Sequence, residues 1–390
     1  DLAKGLRKDG HEVFVLSSIY PYENKSIKYV NSEIQNGIVI NRIGHTSFGK
    51  SSTFGRLLDF FTFNFQIFLK LLFVKRGRFD LTIGTTVPPL LSYIGVIVAH
   101  WKKIPFSYWA MDMQPELAIT SNLIRKGSLT AGLLSYFGNH IIRKSAIIFA
   151  LDDYMKAYLI KKGAQEGNVS VLPVWPVMDR VYLGTRLENP FRIEHGFGDK
   201  IVIMYSGNHA LVHPLDTLLN TAHTLKEDKC FLFVFVGGGV RKKDVTDFKI
   251  KHHLGNIMQL PYQPRNNIHN SLGAADIQVV IMGDNQVGFT HPNKVYGALF
   301  VGKPILYIGP SPSHVSDILH KLPDNISVSH GESNKLCTEL KKFAGYPESL
   351  IEKVGQRNQA YANKYFQPEE LKNKMVALIV AKNIELKQNK

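Results

Sequence analysis

Short apolar runs alternate with stretches of helical periodicity along the first half of the chain. Six runs predict β-strands, at residues 11–17, 38–43, 79–84, 105–110, 146–151 and 168–172. Four stretches between them predict helices, at residues 54–74, 90–102, 123–144 and 152–162. This alternation predicts a parallel sheet with helices packed on both faces.

The same alternation begins again in the second half. Strands are predicted at residues 200–206, 230–236, 256–260, 276–281 and 304–308, and helices at 214–225, 242–253, 265–272, 292–302 and 313–319. The sequence therefore predicts an α/β protein with two doubly wound, Rossmann-like domains facing a cleft. We expect the ligand to bind in that cleft, at the carboxyl ends of the strands. We predict an N-terminal domain at 1–175, a proline- and glycine-containing linker at 176–198, a C-terminal domain at 199–365, and a C-terminal helix and tail at 366–390.

The chain opens on a helical segment that ends at Gly10, whereas a doubly wound domain normally opens on a strand. We therefore expect the first strand of the N-terminal sheet, and the loop after it, to be missing from this chain. An exposed sheet edge beside residues 11–17 would follow. A genuinely shorter sheet is the alternative.

Composition adds two constraints. The 390 residues carry a formal net charge of +15, which suits an anionic partner such as a phospholipid, a nucleotide or a nucleic acid. The two cysteines, Cys230 and Cys337, make neither a disulfide framework nor a metal-binding cluster. Cys230 lies in an apolar run, so we expect it to be buried. The sequence thus predicts a reduced, cytoplasmic protein.

The most apolar region, residues 57–74, is interrupted by four polar residues, so no membrane-spanning helix is predicted. Its phenylalanines fall too widely around a helix for one buried stripe, and lysines and arginines flank them. We therefore predict peripheral contact with an anionic membrane surface. An ordinary core helix is the alternative. The phenylalanines are Phe60, Phe61, Phe63, Phe65, Phe68 and Phe73.

The first candidate binding loop follows the predicted strand at 200–206. Ser206, Gly207 and Asn208 form a glycine turn, and Pro214 is predicted as the first residue of the next helix. Free backbone amides at such a helix start bind phosphate readily. An ordinary strand-to-helix turn is the alternative.

The second candidate loop follows the predicted strand at 230–236. Gly237 to Gly239 would let a ligand approach the backbone closely. Arg241, Lys242 and Lys243 come next, and cations at a helix start oppose the helix dipole. A nearby anion such as a diphosphate would explain them, and a solvated charge run is the alternative.

The third candidate loop follows the predicted strand at 276–281 and contains His291, Pro292, Asn293 and Lys294. His291 and Lys294 could reach a phosphate or a sugar hydroxyl, although such residues at helix starts are often simply solvated. Because the three loops are predicted at the same end of one sheet, together they indicate a binding site more strongly than any one alone.

These motifs, taken in order, resemble those of family 4 retaining glycosyltransferases, which have the two-domain GT-B fold, and especially the bacterial enzymes that build surface polysaccharides. The resemblance covers nearly the whole chain. It is most specific in the Pro-Asn-Lys-Val-Tyr segment at 292–296 with the Gly-Lys-Pro at 302–304. It implies a hexosyltransferase-type enzyme with a nucleotide-diphospho-sugar as donor substrate, retention of anomeric configuration, and no metal or other cofactor.

The resemblance implies that the donor is held by residues of the three loops. Those residues are Ser206, Gly207, Asn208, Gly237, Gly239, Arg241, Lys242, His291, Pro292, Asn293 and Lys294. Many family members also carry a pair of glutamates, one of which usually binds the ribose. Phe289 and Gly297 stand at those positions here, so ribose recognition must differ.

A further loop, after the predicted strand at 105–110, contains Asp112, Pro115 and Glu116. Two carboxylates four residues apart at a strand end could hydrogen-bond an acceptor hydroxyl. An Asp…Pro-Glu pattern is also similar to one that family members often place here. Helix capping by Asp112, with Glu116 in the first turn, is the alternative.

The predicted reaction transfers a sugar to a hydroxyl of a lipid-linked or glycan acceptor, in surface-polysaccharide biosynthesis on the inner face of the plasma membrane. Arg241 and Lys242 would stabilise charge on the departing phosphate, and Asp112 or Glu116 would orient the acceptor. The alternatives are a nucleotide-sugar epimerase of the same architecture and a non-catalytic basic membrane-binding scaffold. No nucleic-acid-binding motif is recognised, so no nucleic-acid partner is predicted.

Overall fold

The computed structural model describes residues 1–21, 27–48, 53–86, 90–176 and 180–388. The side chains of Thr53, Arg56 and Leu57 lie outside this description. Arg56 is one of the arginines predicted to flank the phenylalanines of residues 57–74, so that prediction for Arg56 lies outside the described residues too. The chain divides into two compact units. The first comprises Asp1–Ile119, Ile124–Pro173 and Glu369–Lys390, and the second comprises Thr120–Leu123 and Val174–Pro368.

Strands and helices alternate through the first part of the chain. The elements are α1 (Leu2–Lys8), β1 (Phe14–Ser18), β2 (Ser32–Gln35), β3 (Ile38–Ile43), α2 (Thr53–Leu72), β4 (Thr82–Thr85), α3 (Leu91–Lys102), β5 (Phe106–Trp109), α4 (Glu116–Thr120), α5 (Leu129–Lys144), β6 (Ile147–Ala150), α6 (Asp153–Lys161) and β7 (Val169–Val171).

The remaining elements continue the alternation and end in three helices. They are α7 (Pro190–Glu194), β8 (Ile201–Ser206), α8 (Asp216–Thr224), β9 (Phe231–Val236), α9 (Lys242–Lys251), β10 (Ile257–Leu260), α10 (Ile268–Gly273), β11 (Ile277–Ile281), α11 (Lys294–Phe300), β12 (Ile305–Ile308), α12 (His314–His320), β13 (Ile326–Val328), α13 (Ser333–Ala344), α14 (Glu348–Tyr365) and α15 (Pro368–Gln388). Short 3₁₀ turns cover Glu166–Asn168 and Arg265–Asn267.

The second unit holds a six-stranded parallel sheet in the order β10-β9-β8-β11-β12-β13. Its inner strands are continuous apolar runs because both faces are covered. Ile203 and Tyr205 of β8 pack into one hydrophobic cluster, while Val202 and Met204 pack into another. This is the pattern of a parallel sheet buried on both sides.

The first unit contains two sheets in the described residues. One is β1-β3-β2, in which β1 pairs parallel with β3 and β2 pairs antiparallel with it. The other is the parallel sheet β4-β5-β6-β7. Every residue of β1 and of β4 is only partly buried.

Much of the predicted linker, 176–198, belongs to the second unit. Asn189 caps α7 by accepting from the Phe191 amide at 2.9 Å, and the side chains of Phe191 and Phe197 are buried in a core cluster. Arg192 is buried and donates to Asp276 Oδ2 at 3.0 Å. That ion pair fixes α7 against the amino end of β11.

Two local predictions were wrong. Cys230 is exposed, because β9 begins one residue later and Cys230 lies in the turn before it, where its amide donates to Asp228 Oδ1 at 3.1 Å. Pro214 does not begin a helix, since α8 begins at Asp216. The loop after β8 is therefore longer than predicted.

Candidate functional site

The sheet of the second unit changes direction at β8. From β8 the chain moves outward to β9 and β10, and then returns to β11 on the other side of β8. In open α/β sheets of this order, ligands bind beyond the carboxyl ends of the strands at such a switch point. The loops at this point, 207–215 after β8 and 282–293 after β11, contain five of the predicted donor-binding residues, and Ser206 and Lys294 directly flank them.

The loop after β8 is held by its own hydrogen bonds. The Tyr205 hydroxyl donates to the Asn208 carbonyl at 2.9 Å and lies 3.0 Å from His213 Nδ1. The Gly207 amide donates to the Val236 carbonyl at 2.8 Å. Gly207 therefore has no amide left for a phosphate, and it lies nine residues before the start of α8.

The glycines after β9 pack this segment against the loop after β8. Gly237 and Gly239 have φ of +125° and +132°, a conformation that side chains rarely adopt. A Cβ at Gly237 would collide with the Gly207 carbonyl, and one at Gly239 with the Asn208 side chain. Backbone bonds complete the contact, since the His209 amide donates to the Gly238 carbonyl at 2.7 Å. The glycines thus allow two backbones to meet.

Four backbone amides at this contact lack an acceptor within the described residues. They belong to Asn208, Gly238, Gly239 and Val240. Three of them are consecutive and precede α9, a ten-residue helix whose amino end carries partial positive charge. Adjacent free N–H groups at a helix start are a favourable environment for an anion.

The cations after these amides differ in their partners. Arg241 pairs with Asp244 at 2.8 Å and Asp216 at 3.5 Å, and donates to the His213 carbonyl at 3.2 Å. Lys243 pairs with Asp247 at 2.6 Å. Lys242 forms no ion pair with any described residue. Arg241 thus ties the two loops together, while Lys242 remains available for another anion.

Lys294, the first residue of α11, points at the loop after β8. Its Nζ lies 3.4 Å from the Asn208 carbonyl and 4.8 Å from the centre of the Tyr205 ring. No carboxylate among the described residues pairs with it, and burial lowers the pKa of Lys294 to about 8. A partly buried cation without a counter-charge is costly, and an anion bound beside Gly207 would supply that charge.

The remaining residues predicted before α11 are arranged differently. His291 is buried, and its Nε2 lies 2.7 Å from the Tyr296 hydroxyl, which also lies 3.0 Å from His314 Nε2. Pro292 is buried, whereas Asn293 is exposed at the cap position of α11 and makes no side-chain capping bond. Ser206 ends β8 and is partly buried.

Two histidines of the loop after β8 are neutral at physiological pH. Burial, together with the nearby charge of Lys294, lowers the pKa of His213 to about 3. Burial also lowers the pKa of His209. The positive charge of the site therefore comes from lysine, arginine and backbone amides.

Asp112 and Glu116 belong to the first unit, unlike the other candidates. Glu116 begins α4, and its Oε1 lies 2.6 Å from Lys162 Nζ. Burial raises the pKa of Tyr158, and its hydrogen bond to Glu116 raises it further. Asp112 is partly buried between β5 and α4. Glu116 is thus already engaged by Lys162 and Tyr158.

Two further observations concern metals and membranes. In the described ranges, no group of three or more His, Cys, Asp or Glu side chains is positioned to hold a metal ion. Over the same ranges, no helix combines the length and the apolar character that a membrane crossing requires.

Sequence reasoning did not assign Gly238, Val240, Tyr262 or Tyr296 to the site. Tyr262 follows β10, and its hydroxyl donates to the Gly238 carbonyl at 3.0 Å with half of the side chain exposed. Tyr296 belongs to the Pro-Asn-Lys-Val-Tyr segment, and that motif could have identified it as a residue of the site. The free amides of Gly238 and Val240 depend on hydrogen bonds that the sequence does not reveal.

Comparisons with known proteins agree with this architecture. No protein-family profile matches the chain. It is 21% identical over 300 residues to the probable glycosyltransferase WbjE of Pseudomonas aeruginosa, covering 74% of this chain and 75% of WbjE. It is 24% identical over 313 residues to WcaI of Escherichia coli K12, a putative colanic acid biosynthesis glycosyl transferase, covering 77% of this chain and 76% of WcaI.

Among solved structures, Anabaena HepE in complex with UDP-glucose aligns with a TM-score of 0.66 at 14% identity, covering 89% of this chain and 86% of HepE. The prediction of an α/β GT-B fold with two Rossmann-like units is confirmed. The relatives also support the prediction of a glycosyltransferase enzyme.

Proposed function

We propose that this chain transfers a sugar from a nucleotide-diphospho-sugar to an acceptor hydroxyl in bacterial surface-polysaccharide biosynthesis. The observation that carries the proposal is the anion-binding arrangement at the switch point of the second unit. Lys294, without a carboxylate partner, and the four free amides of Asn208, Gly238, Gly239 and Val240 come from loops beside β8. The names of the two relatives and the UDP-glucose bound to HepE support the same chemistry.

The donor diphosphate would lie against these amides, with Lys294 and Lys242 neutralising its charge. As the bond between the anomeric carbon and the phosphate oxygen breaks, negative charge grows on the departing diphosphate. Fixed N–H groups and cations stabilise that charge without reorganising at the moment of reaction. Arg241 adds positive charge nearby, partly offset by Asp216 and Asp244.

We propose transfer with retention by front-face attack. The acceptor oxygen bonds to the anomeric carbon on the side that the phosphate leaves, and the acceptor proton passes to the departing phosphate. No protein nucleophile and no metal is required by this route. Asp112 and Glu116 remain the proposed orienting groups for the acceptor, with Glu116 the less available because it is paired with Lys162.

The proposed acceptor is a lipid-linked or glycan hydroxyl, and the proposed location is peripheral, on the inner face of the plasma membrane. Helix α2 supports this location. Phe61, Phe65 and Phe68 are exposed on it, while Phe63 is buried against the sheet. Helix α2 is therefore only partly buried, and its exposed side carries apolar side chains.

A thermal-shift and calorimetric screen of UDP-, GDP- and ADP-sugars tests the donor proposal, since a ligand that binds the folded state raises its melting temperature. We expect one nucleotide class to stabilise the protein, and Lys294→Ala to abolish most of the shift. Lys251→Ala, at the exposed far end of α9, is the matched control. Failure of every nucleotide sugar to bind would overturn the proposal.

A transfer assay with and without acceptor separates the enzymatic alternatives. We expect sugar to appear only on an added lipid-linked or glycan acceptor. Conversion of the nucleotide sugar to its epimer without acceptor would instead identify an epimerase.

A further inference from the structure

Three side chains converge on one carbonyl in the loop after β8. The Asn208 carbonyl oxygen lies 2.9 Å from the Tyr205 hydroxyl, 3.3 Å from His213 Nδ1 and 3.4 Å from Lys294 Nζ. The imidazole of His213 therefore lies beside the ammonium group of Lys294, within the proposed anion site. The proposed function gives Lys294 a role there and gives His213 none.

The contacts of His213 Nδ1 decide where the single ring proton lies. A carbonyl oxygen can only accept, so the Tyr205 hydroxyl uses its one hydrogen on Asn208, and the hydroxyl oxygen is an acceptor towards Nδ1 at 3.0 Å. Because Nδ1 faces two acceptors, it must carry the hydrogen. The pKa of His213 is lowered to about 3 by burial and by the charge of Lys294, so the ring is neutral at physiological pH. The other nitrogen, Nε2, is consequently an acceptor.

Nε2 is the unused side of this ring, since no described residue forms a hydrogen bond with it. His213 is partly exposed, whereas the neighbouring His209 is 1% exposed, so His213 is the histidine of this loop that a ligand can reach. Its lone pair attracts a hydrogen-bond donor and repels a phosphate oxygen, which is itself an acceptor. The carboxylates of Asp216 and Asp244 are less available as acceptors, because both pair with Arg241.

The backbone that carries His213 is fixed from two sides. Arg241 Nη1 donates to the His213 carbonyl at 3.2 Å, and Gln286 Nε2 donates to the preceding Val212 carbonyl at 2.7 Å. Arg241 directly precedes α9, and Gln286 belongs to the loop after β11, so two other segments of the second unit hold this position. An acceptor that is already oriented loses little entropy when a ligand binds.

We propose that His213 is a specificity-determining residue of the donor site, whose Nε2 accepts a hydrogen bond from a hydroxyl group of the bound nucleotide sugar. The free amides and Lys294 hold the diphosphate, and His213 recognises a hydroxyl next to it, on the ribose or on the transferred sugar. This inference rests on the proposed function and deepens it.

Two substitutions separate the two sides of the ring. In His213→Asn the amide nitrogen can take the place of Nδ1 and keep the hydrogen bonds of the loop, but nothing replaces Nε2. In His213→Gln the amide oxygen can take the place of Nε2, while the bonds to Tyr205 and Asn208 are lost.

Calorimetry at pH 7 with UDP-glucose, GDP-mannose and ADP-glucose identifies the nucleotide sugar that binds the wild type and measures its affinity for each variant. We expect His213→Asn to bind it about three- to tenfold more weakly, the effect of one neutral hydrogen bond, and His213→Gln to bind it within about twofold of wild type. His320→Asn, which changes an exposed histidine at the end of α12, is the control and should bind like wild type. Urea unfolding checks that each variant is folded.

The matching nucleoside diphosphate locates the hydroxyl. If the loss in His213→Asn is confined to the full nucleotide sugar, the hydroxyl belongs to the transferred sugar. If the loss is equal with the diphosphate alone and disappears with its 2′,3′-dideoxy form, the hydroxyl belongs to the ribose. Either result supports the proposal, whereas a loss that persists with the dideoxy form would overturn it.

The opposite order of the two variants would show that His213 only supports the loop, and would overturn the proposal. So would proton uptake on binding by the wild type but not by His213→Asn, detected as a binding heat that differs between PIPES and Tris buffers, because a protonated ring would then bind phosphate. Equal affinities of wild type and His213→Asn would overturn this inference alone. Failure of every nucleotide sugar to bind the wild type would overturn the proposed function together with it.

Discussion

The two units follow the same plan of parallel strands and crossover helices, but they differ in the middle of the sheet. In the second unit β8 pairs on both sides, with β9 and β11, and those two neighbours are completely buried. In the first unit the described strands form two separate sheets, and β1 and β4, each at an edge, are only partly buried. The switch point beside β8, and with it the proposed anion site, belongs to the second unit.

This difference predicts unequal local stability, which is the largest effect expected. Edge strands with half-buried backbone open more easily than strands paired on both sides, and opening free energies range from near zero to the global value. We expect amides of β1 and β4 to exchange with deuterium roughly a hundredfold faster than those of β9 and β11. Hydrogen exchange read by mass spectrometry checks this, and equal protection would remove the contrast between the units.

The second expectation concerns a substitution that disrupts the site at one of its glycines. Gly237→Ala would force a side chain into a left-handed backbone and against the Gly207 carbonyl, so we expect about 1–3 kcal/mol of lost stability. Nucleotide binding should fall as well, because the free amides would be displaced. Gly255→Ala is the control, since its Cβ would meet open space. Similar melting temperatures for the two variants would contradict the packing role.

The third expectation separates binding from folding. Lys294→Met should weaken nucleotide-sugar binding by roughly tenfold to a hundredfold. This factor corresponds to the loss of about 1.5–3 kcal/mol, which is the typical contribution of a hydrogen bond to a charged group. Its free energy of unfolding at pH 7 should not fall, because burial already disfavours the charged lysine in the folded state. Calorimetry measures the nucleotide-sugar affinity, and urea unfolding measures the free energy of unfolding. A loss of stability without a loss of affinity would show that Lys294 serves the fold and not the binding of the donor.

The smallest expected effect is a pH dependence. The pKa of Lys294 is lowered to about 8, so its charge is present below that pH and is lost as the pH rises through it. We expect nucleotide affinity to fall a fewfold between pH 7 and 9, where phosphate ionisation is already nearly complete. The affinity of Lys294→Met should depend less steeply on pH. Parallel curves for the two proteins would show that Lys294 is not the source of the pH dependence.

The sequence predicted five of the six strands of the second unit to within a residue, because strands buried on both faces are continuous apolar runs; the three-residue strand β13, Ile326–Val328, was not predicted. Residues 230–236 were predicted and Phe231–Val236 is observed. The first unit was harder to predict. Strand β2, Ser32–Gln35, is short, polar and mostly exposed, so it lacks the apolar run that identified the others.

The candidate site shows the same limit. Lys294 was predicted from its motif, but its lack of a carboxylate partner depends on which distant residues fold near it. Gly237 was interpreted as room for a ligand, whereas its close neighbour is Gly207, thirty positions earlier in the sequence. Contacts between loops from different strands are set by sheet order, which local patterns do not encode.

The interlocked loops have a consequence for anyone who wishes to alter the sugar donor. The His209 amide bonds to Gly238, and the Arg241 amide bonds back to the His209 carbonyl at 3.0 Å, so segments 207–213 and 237–241 share one backbone network. Exchanging either segment alone with that of a relative would leave the other without its partners. The two segments are therefore a single module, to be transplanted together, and libraries that vary them independently will consist mainly of misassembled sites.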